Sequence, residues 1–204
     1  FALTPFGKDL PKLAEKARTL KHEILLQVPM EPFDYPDNDP GPQALLTSLS
    51  STQNLDRLHW QMSQFQGYVG LIGYMGGKFT ASEDALQPVL HDAAKRGLIY
   101  VDDGASPRSV AGQLAGGQNL PFAKADLVID AVPTPNEIDH ALARLELKAR
   151  EQGSAIGIAT ALPATVTRIA AWAKTVESRG FVLVPISMVA VKAGRHEARV
   201  ENKQ

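Results

Sequence analysis

An α/β fold on a parallel sheet is predicted for this chain by three observations. Short Val/Ile/Leu runs alternate with amphipathic stretches of helical period, several runs are apolar at successive positions, and a helix–Gly–strand junction recurs. The junctions are Lys95-Arg96-Gly97-Leu98, Glu151-Gln152-Gly153-Ser154 and Ser178-Arg179-Gly180-Phe181. Their regularity predicts one continuous α/β layer and a single domain over 1–204.

Seven runs predict strands: Ala2 to Thr4, Glu23 to Val28, Tyr68 to Tyr74, Leu98 to Asp102, Leu127 to Asp130, Ala155 to Ala159 and Val182 to Ser187. Continuous apolar triplets such as Ile24-Leu25-Leu26, Leu127-Val128-Ile129 and Val182-Leu183-Val184 are expected of strands covered on both faces. Four helical stripes lie between them: Leu55, Leu58, Met62 and Phe65; Leu86, Val89, Leu90 and Ala93; Ile138, Leu142, Leu145 and Ala149; Ile169, Trp172 and Val176. Ser82, followed by Glu83 and Asp84, predicts a helix start, and Gly97, Gly153 and Gly180 predict helix ends. Met30 to Pro42 carries four prolines and no apolar period, so it reads as a long loop of the kind that bears function. The polar stretch Lys192 to Gln204 reads as a fraying tail.

Composition narrows the function. The chain has 204 residues, 44% hydrophobic and 21% charged, which is ordinary for a globular protein. A formal charge of -1 leaves no basic field for phosphates, so no nucleic acid partner is expected. The longest mainly apolar stretch, Phe181 to Val191, is broken by Pro185 and falls short of the roughly 20 residues a spanning helix needs. The absence of cysteine excludes disulfides, thiolate metal sites and Cys nucleophiles. Opening on Phe1 instead of Met leads to the expectation of a segment upstream.

Sites of α/β folds form where strand C-termini meet their loops. Those ends hold Glu31, Tyr74-Met75-Gly76-Gly77, Asp102-Asp103, Asp126 to Asp130 and Thr160. Glu31, Asp102, Asp103 and Asp130 are expected to crowd one mouth, where like charges raise one another's pKa and make acid/base or metal sites. The alternative is that they cap and shape the βα loops. His22, His59, His91, His140 and His196 show no metal-ligand spacing and read as surface or structural. The glycines of Gly70-Leu71-Ile72-Gly73-Tyr74-Met75-Gly76 lie inside a strand instead of opening a helix, which argues against a dinucleotide fingerprint. Ser106, Ser154 and Ser187 lack a nucleophile elbow.

Several stretches together carry a resemblance. They are His22-Glu23-Ile24-Leu25-Leu26-Gln27-Val28-Pro29-Met30-Glu31-Pro32, Asp39-Pro40-Gly41-Pro42, the run from Val69 to Thr80, Arg96-Gly97-Leu98-Ile99-Tyr100-Val101-Asp102, Gly153-Ser154-Ala155-Ile156-Gly157-Ile158, and Leu183-Val184-Pro185-Ile186-Ser187. In this order the chain resembles the divergent polysaccharide deacetylase family. The resemblance implies a distorted seven-stranded (β/α) barrel of the glycoside hydrolase/deacetylase type whose first strand precedes Phe1. It also implies hydrolysis of acetyl groups on a cell-envelope sugar, a periplasmic or envelope location, and a carbohydrate or peptidoglycan fragment as partner.

Active relatives use a divalent metal held by Asp and His. This sequence carries Gln27, Tyr74 and Thr160-Ala161 where family members carry histidines, and Ala125 where they carry an arginine. Against that pattern Asp102, Asp130 and Glu31 are the candidate acid/base groups. Tyr74, Gly76, Gly77, Asp103, Asp126 and Thr160 are the candidate substrate contacts, with Tyr35 beside Tyr74 as a stacking group. No metal ligand and no cofactor is expected, beyond weak binding of a hard divalent ion by carboxylates. The expected function is that of a deacetylase-like protein with or without surviving activity, or of a non-catalytic glycan binder or envelope scaffold.

Overall fold

The computed structural model describes residues 1–190; the predicted tail and His196 lie outside the described residues. The chain forms two compact units, Phe1–Ala123 joined by the chain from Pro185, and Lys124–Val184.

The first unit is built on a five-stranded sheet in the order β1 (Ala2–Leu3), β2 (Leu25–Pro29), β3 (Gly70–Tyr74), β4 (Ile99–Asp102) and β5 (Phe122–Lys124), the last carrying the chain out of the unit. β1 to β4 are parallel, with Leu25 opposite Gly70 and Gly70 opposite Ile99. Parallel strands need crossovers, which α1 (Leu10–Thr19), α2 (Ser51–Met62), α3 (Glu83–Lys95) and α4 (Ala111–Gly117) supply. The core joins Leu26, Val28, Leu71 and Tyr100 of the strands to Leu58, Leu86, Val89 and Leu90 of the helices. The α2 and α3 stripes therefore pack as predicted. α1 and α4 have weaker sequence signatures because alanines carry much of their buried stripes: Ala14 and Ala17 beside Leu10, Ala111 and Ala115 beside Leu114.

α2 starts with a reciprocal capping box between Ser50 and Gln53. Ser82 is the N-cap residue of α3, although its side chain makes no cap hydrogen bond. Gly97 follows α3 at φ 70°, a left-handed conformation that favours glycine. Gly70 serves packing: a Cβ there would lie 2.3 Å from Ile99 Cγ1 and 2.5 Å from its carbonyl oxygen.

The second unit holds a two-stranded parallel ladder, β6 (Leu127–Val128) with β7 (Gly157–Ile158), and two main helices, α5 (Pro135–Gln152) and α6 (Pro163–Ala173). Ile129, Ile138, Ala141 and Leu142 form its core, with Ile169 and Trp172 packed against them. Gly153 closes α5 in the predicted left-handed conformation.

The seventh predicted strand is corrected. Val182 to Val184 runs without a ladder partner among the described residues, and Ile186–Val189 is a short helix, α7. Pro185 supplies no N–H to a ladder and stands at the N-cap of α7, whose Ser187 donates from its backbone N–H and its hydroxyl to the Glu23 carboxylate. Val182 is 73% exposed, so its apolar run does not mark a covered strand. Among the described residues neither sheet closes on itself, in contrast to the barrel implied by the resemblance.

Gly70→Ala is expected to destabilise the fold by about 1–3 kcal/mol, since the Ile99 backbone leaves no room for a methyl group, as read from the urea midpoint.

Candidate functional site

β2, β3 and β4 run in the same direction, so Pro29, Tyr74 and Asp102 end them on one side of the first sheet. The loop from Met30 is held at its base. Met30 bridges to Leu45, Met30 N–H donates to the Tyr74 carbonyl at 3.0 Å, and Glu31 N–H donates to the Leu45 carbonyl at 2.9 Å. One polar stripe of α2 grips the returning strand of this loop. Asn54 exchanges hydrogen bonds with the Leu46 backbone, Arg57 donates to the Ala44 carbonyl and Gln61 to the Gln43 carbonyl.

Glu31 sits inside this base. Its Oε2 accepts from the Thr47 N–H at 2.6 Å and the Thr47 hydroxyl at 2.7 Å, while Oε1 accepts from Lys78 Nζ at 2.7 Å. Its carbonyl accepts from the N–H groups of both Lys78 and Phe79. Burial alone would raise the Glu31 pKa, but Lys78 and Thr47 outweigh it and hold the carboxyl below its ordinary range. With both oxygens engaged and its basicity lowered, Glu31 is poorly suited to take up a proton.

Beyond β3 the chain turns at Met75, left-handed at φ 59°, with Gly77 N–H donating to the Met75 carbonyl at 2.8 Å. Tyr74 is 39% exposed. A Cβ on Gly76 would lie 2.8 Å from Met30 Cβ, and one on Gly77 would lie 3.2 Å from the Phe33 ring. Packing therefore accounts for both glycines.

Asp102 is buried, and its Oδ1 accepts from Gly104 N–H at 2.8 Å. Asp103 Oδ1 accepts from Ala105 N–H at 2.9 Å, and the nearby Met75 backbone also favours its charged form. Burial is the main influence on Asp103 and, helped by the neighbouring Asp102 charge, keeps its pKa above the ordinary carboxyl value despite those donors.

In the second unit Asp130 accepts on Oδ2 from the Thr160 N–H at 2.9 Å, from the Thr160 hydroxyl and from the Thr165 hydroxyl at 3.0 Å. These donors overcome burial and lower its pKa. Asp126, expected at a strand's C-terminal end, instead precedes β6. Its N–H donates to the Ile156 carbonyl and its carboxylate accepts from Ile156 N–H, both at 2.8 Å, which clamps the ladder's register.

Glu31, Asp102, Asp103 and Asp130 each spend carboxylate oxygens on protein donors. Among the described residues no three His, Asp or Glu side chains are grouped to hold an ion. Thr160 uses its hydroxyl to lock Asp130. Of the four carboxylates expected at one mouth, Glu31, Asp102 and Asp103 belong to the first unit and Asp130 to the second.

Three histidines among the described residues lie at surface contacts: His22 against Phe1, His59 beside Asp92 and Arg96, and His140 beside Glu137. Sequence reasoning missed Thr47, Lys78, Phe33, Arg108 and Thr165. A carboxylate directly after a buried strand signals the need for a partner, but nothing in linear order points to a lysine 47 residues away.

Glu31 and Asp103 are expected to respond oppositely to neutralisation. Glu31 binds its proton less tightly folded than unfolded, so its stabilisation is present above pH 4.5 and lost as pH falls through the lowered folded value. Glu31→Gln should cost about 1–3 kcal/mol at pH 7 and progressively less toward acid pH. Asp103 binds its proton more tightly when folded, so ionisation costs stability as pH rises from 3.8 through its raised folded value. Asp103→Asn, which keeps an acceptor oxygen, should raise Tm at pH 7 and leave it unchanged at pH 3; thermal melts across pH read both.

The protein resembles uncharacterized protein YibQ of Escherichia coli (strain K12), with 26% identity over 166 residues, 81% of this chain and 51% of that protein. An uncharacterized protein of Haemophilus influenzae is 23% identical over 152 residues, 74% of this chain and 54% of its own length. The chain thus spans about half the length of these curated relatives. The crystal structure of uncharacterized protein ATU2773 from Agrobacterium tumefaciens C58 superposes with a TM-score of 0.90 at 39% identity, over 92% of this chain and 76% of that one. The profile of the divergent polysaccharide deacetylases matches residues 1–190, and the chain belongs to that family.

Proposed function

We propose that this protein is a carbohydrate-binding member of its family, acting on cell-envelope glycan without metal-dependent deacetylation. The observation that carries this reading is the commitment of Glu31 and Asp130 to protein donors, and the resemblance, which implies histidines in relatives at the positions of Tyr74 and Thr160, points the same way. A deacetylase needs a Lewis acid or an activated water poised over the acetyl carbonyl. Glu31, with both oxygens taken by protein donors, and Asp130, with one oxygen taken by three, are poorly placed to supply either.

The family supports sugar as the ligand class. In the first unit, exposed Tyr74 and Tyr35 offer aromatic surface of the kind on which pyranose rings stack. The distorted seven-stranded barrel belongs to this reading, as does the envelope location. No helix among the described residues is long and apolar enough to cross a membrane. Carboxylates so engaged leave at most weak binding of a hard divalent ion.

Asp103 favours the competing reading of an enzyme with a rebuilt centre, because its raised pKa suits a proton donor. Calorimetric titration with chito-oligosaccharides and peptidoglycan fragments, run beside an acetate-release assay on acetylated glycans, separates the two. Saturable binding without acetate is expected, and Tyr74→Ala should weaken it about tenfold with Tm unchanged. Acetate release abolished by Asp102→Asn, or near-stoichiometric zinc in protein purified without chelator, would overturn the proposal.

A further inference from the structure

Lys78 and Arg108 are the cations placed at the loops after β3 and β4, and they differ in what they face. The Lys78 ammonium is neutralised by Glu31 at 2.7 Å. Arg108 forms no ion pair among the described residues. Its guanidinium carbon stands 4.3 Å from the centroid of the Phe33 ring.

That stack is built from beneath. Phe33 packs on the backbone of Gly77, where a Cβ would come within 3.2 Å of its ring and 3.8 Å of the Ala105 carbonyl oxygen. The turn carrying Arg108 is fixed as well. Its N–H donates to the buried Ser106 hydroxyl at 3.1 Å, and Val110 N–H donates to the Thr80 carbonyl at 2.9 Å. Phe33 remains 51% exposed, so the stacked pair faces solvent and is not covered by the core.

A guanidinium lying over an aromatic ring keeps the N–H groups on its rim in plane and pre-ordered, which suits bidentate capture of a planar oxyanion. The acid nearest along the chain does not consume that capacity, since Asp103 accepts from Ala105 N–H and forms no ion pair with Arg108 among the described residues.

We propose that Arg108, oriented by Phe33 over Gly77, is the specificity determinant for a carboxylate-bearing sugar, so that the glycan bound at this mouth is acidic. This rests on the glycan-binding reading above and deepens it. Neutral sugars would meet the exposed tyrosines alone, whereas a sugar carrying a lactyl or uronic carboxylate would add a charge-assisted pair.

The test titrates the purified chain with neutral chitotetraose and with a GlcNAc–MurNAc tetrasaccharide, whose lactyl groups are ionised at pH 7. Wild-type protein is expected to prefer the acidic probe by about tenfold, and Arg108→Gln should abolish the preference while leaving chitotetraose affinity and Tm unchanged. Gly77→Ala, which pushes on the Phe33 ring, should reduce the preference without removing the charge. Arg108→Lys should restore only part of it, because an ammonium lacks the planar fork. Equal affinity for the two probes, or a preference that survives Arg108→Gln, would overturn the inference and leave the glycan-binding reading standing. Failure of both probes to bind would overturn the reading and the inference together.

Discussion

The triple engagement of Glu31 is the interaction on which the first unit's mouth depends. One side chain joins three segments distant in sequence: the end of β2, Thr47 on the returning arm of the long loop, and Lys78 beyond β3. Its backbone carbonyl takes the N–H groups of Lys78 and Phe79. A buried carboxylate is tolerable only when paired and hydrogen-bonded, and here the compensation also positions both loops. The proline-rich segment is thereby moored at its base, with Tyr35 and Phe33 exposed beyond that mooring.

The other acids follow similar logic with smaller reach. Asp102 and Asp103 each accept an N–H two residues on, the local turn chemistry expected of aspartate at a strand's end. Asp130 ties β6 to the segment after β7 through Thr160 and to α6 through Thr165. The retained acids of a deacetylase-like sequence thus have structural work independent of any reaction.

Much of the architecture is legible along the chain because it depends on local period. Six of the seven strand runs coincide with strands, and the α2, α3, α5 and α6 stripes fall on helices. Val182 to Ser187 misleads because apolar composition cannot distinguish a covered strand from an exposed segment ahead of Pro185. α1 and α4 are harder to read since alanine contributes little contrast to a hydrophobic stripe, and β5 is only three residues long. At the site, the position of Glu31 after β2 was readable, whereas its partners and the Arg108–Phe33 stack bring together residues far apart in sequence.

Sequence alone established the α/β class and the place of the acids along the chain, because residue identity and short-range period are properties of linear order. Tertiary structure decided what those acids do. Proton affinity and hydrogen-bonding capacity depend on neighbours supplied by other segments, and the pairing of Glu31 with Lys78, of Asp130 with Thr165 and of Arg108 with Phe33 arises only when the sheet brings their loops together.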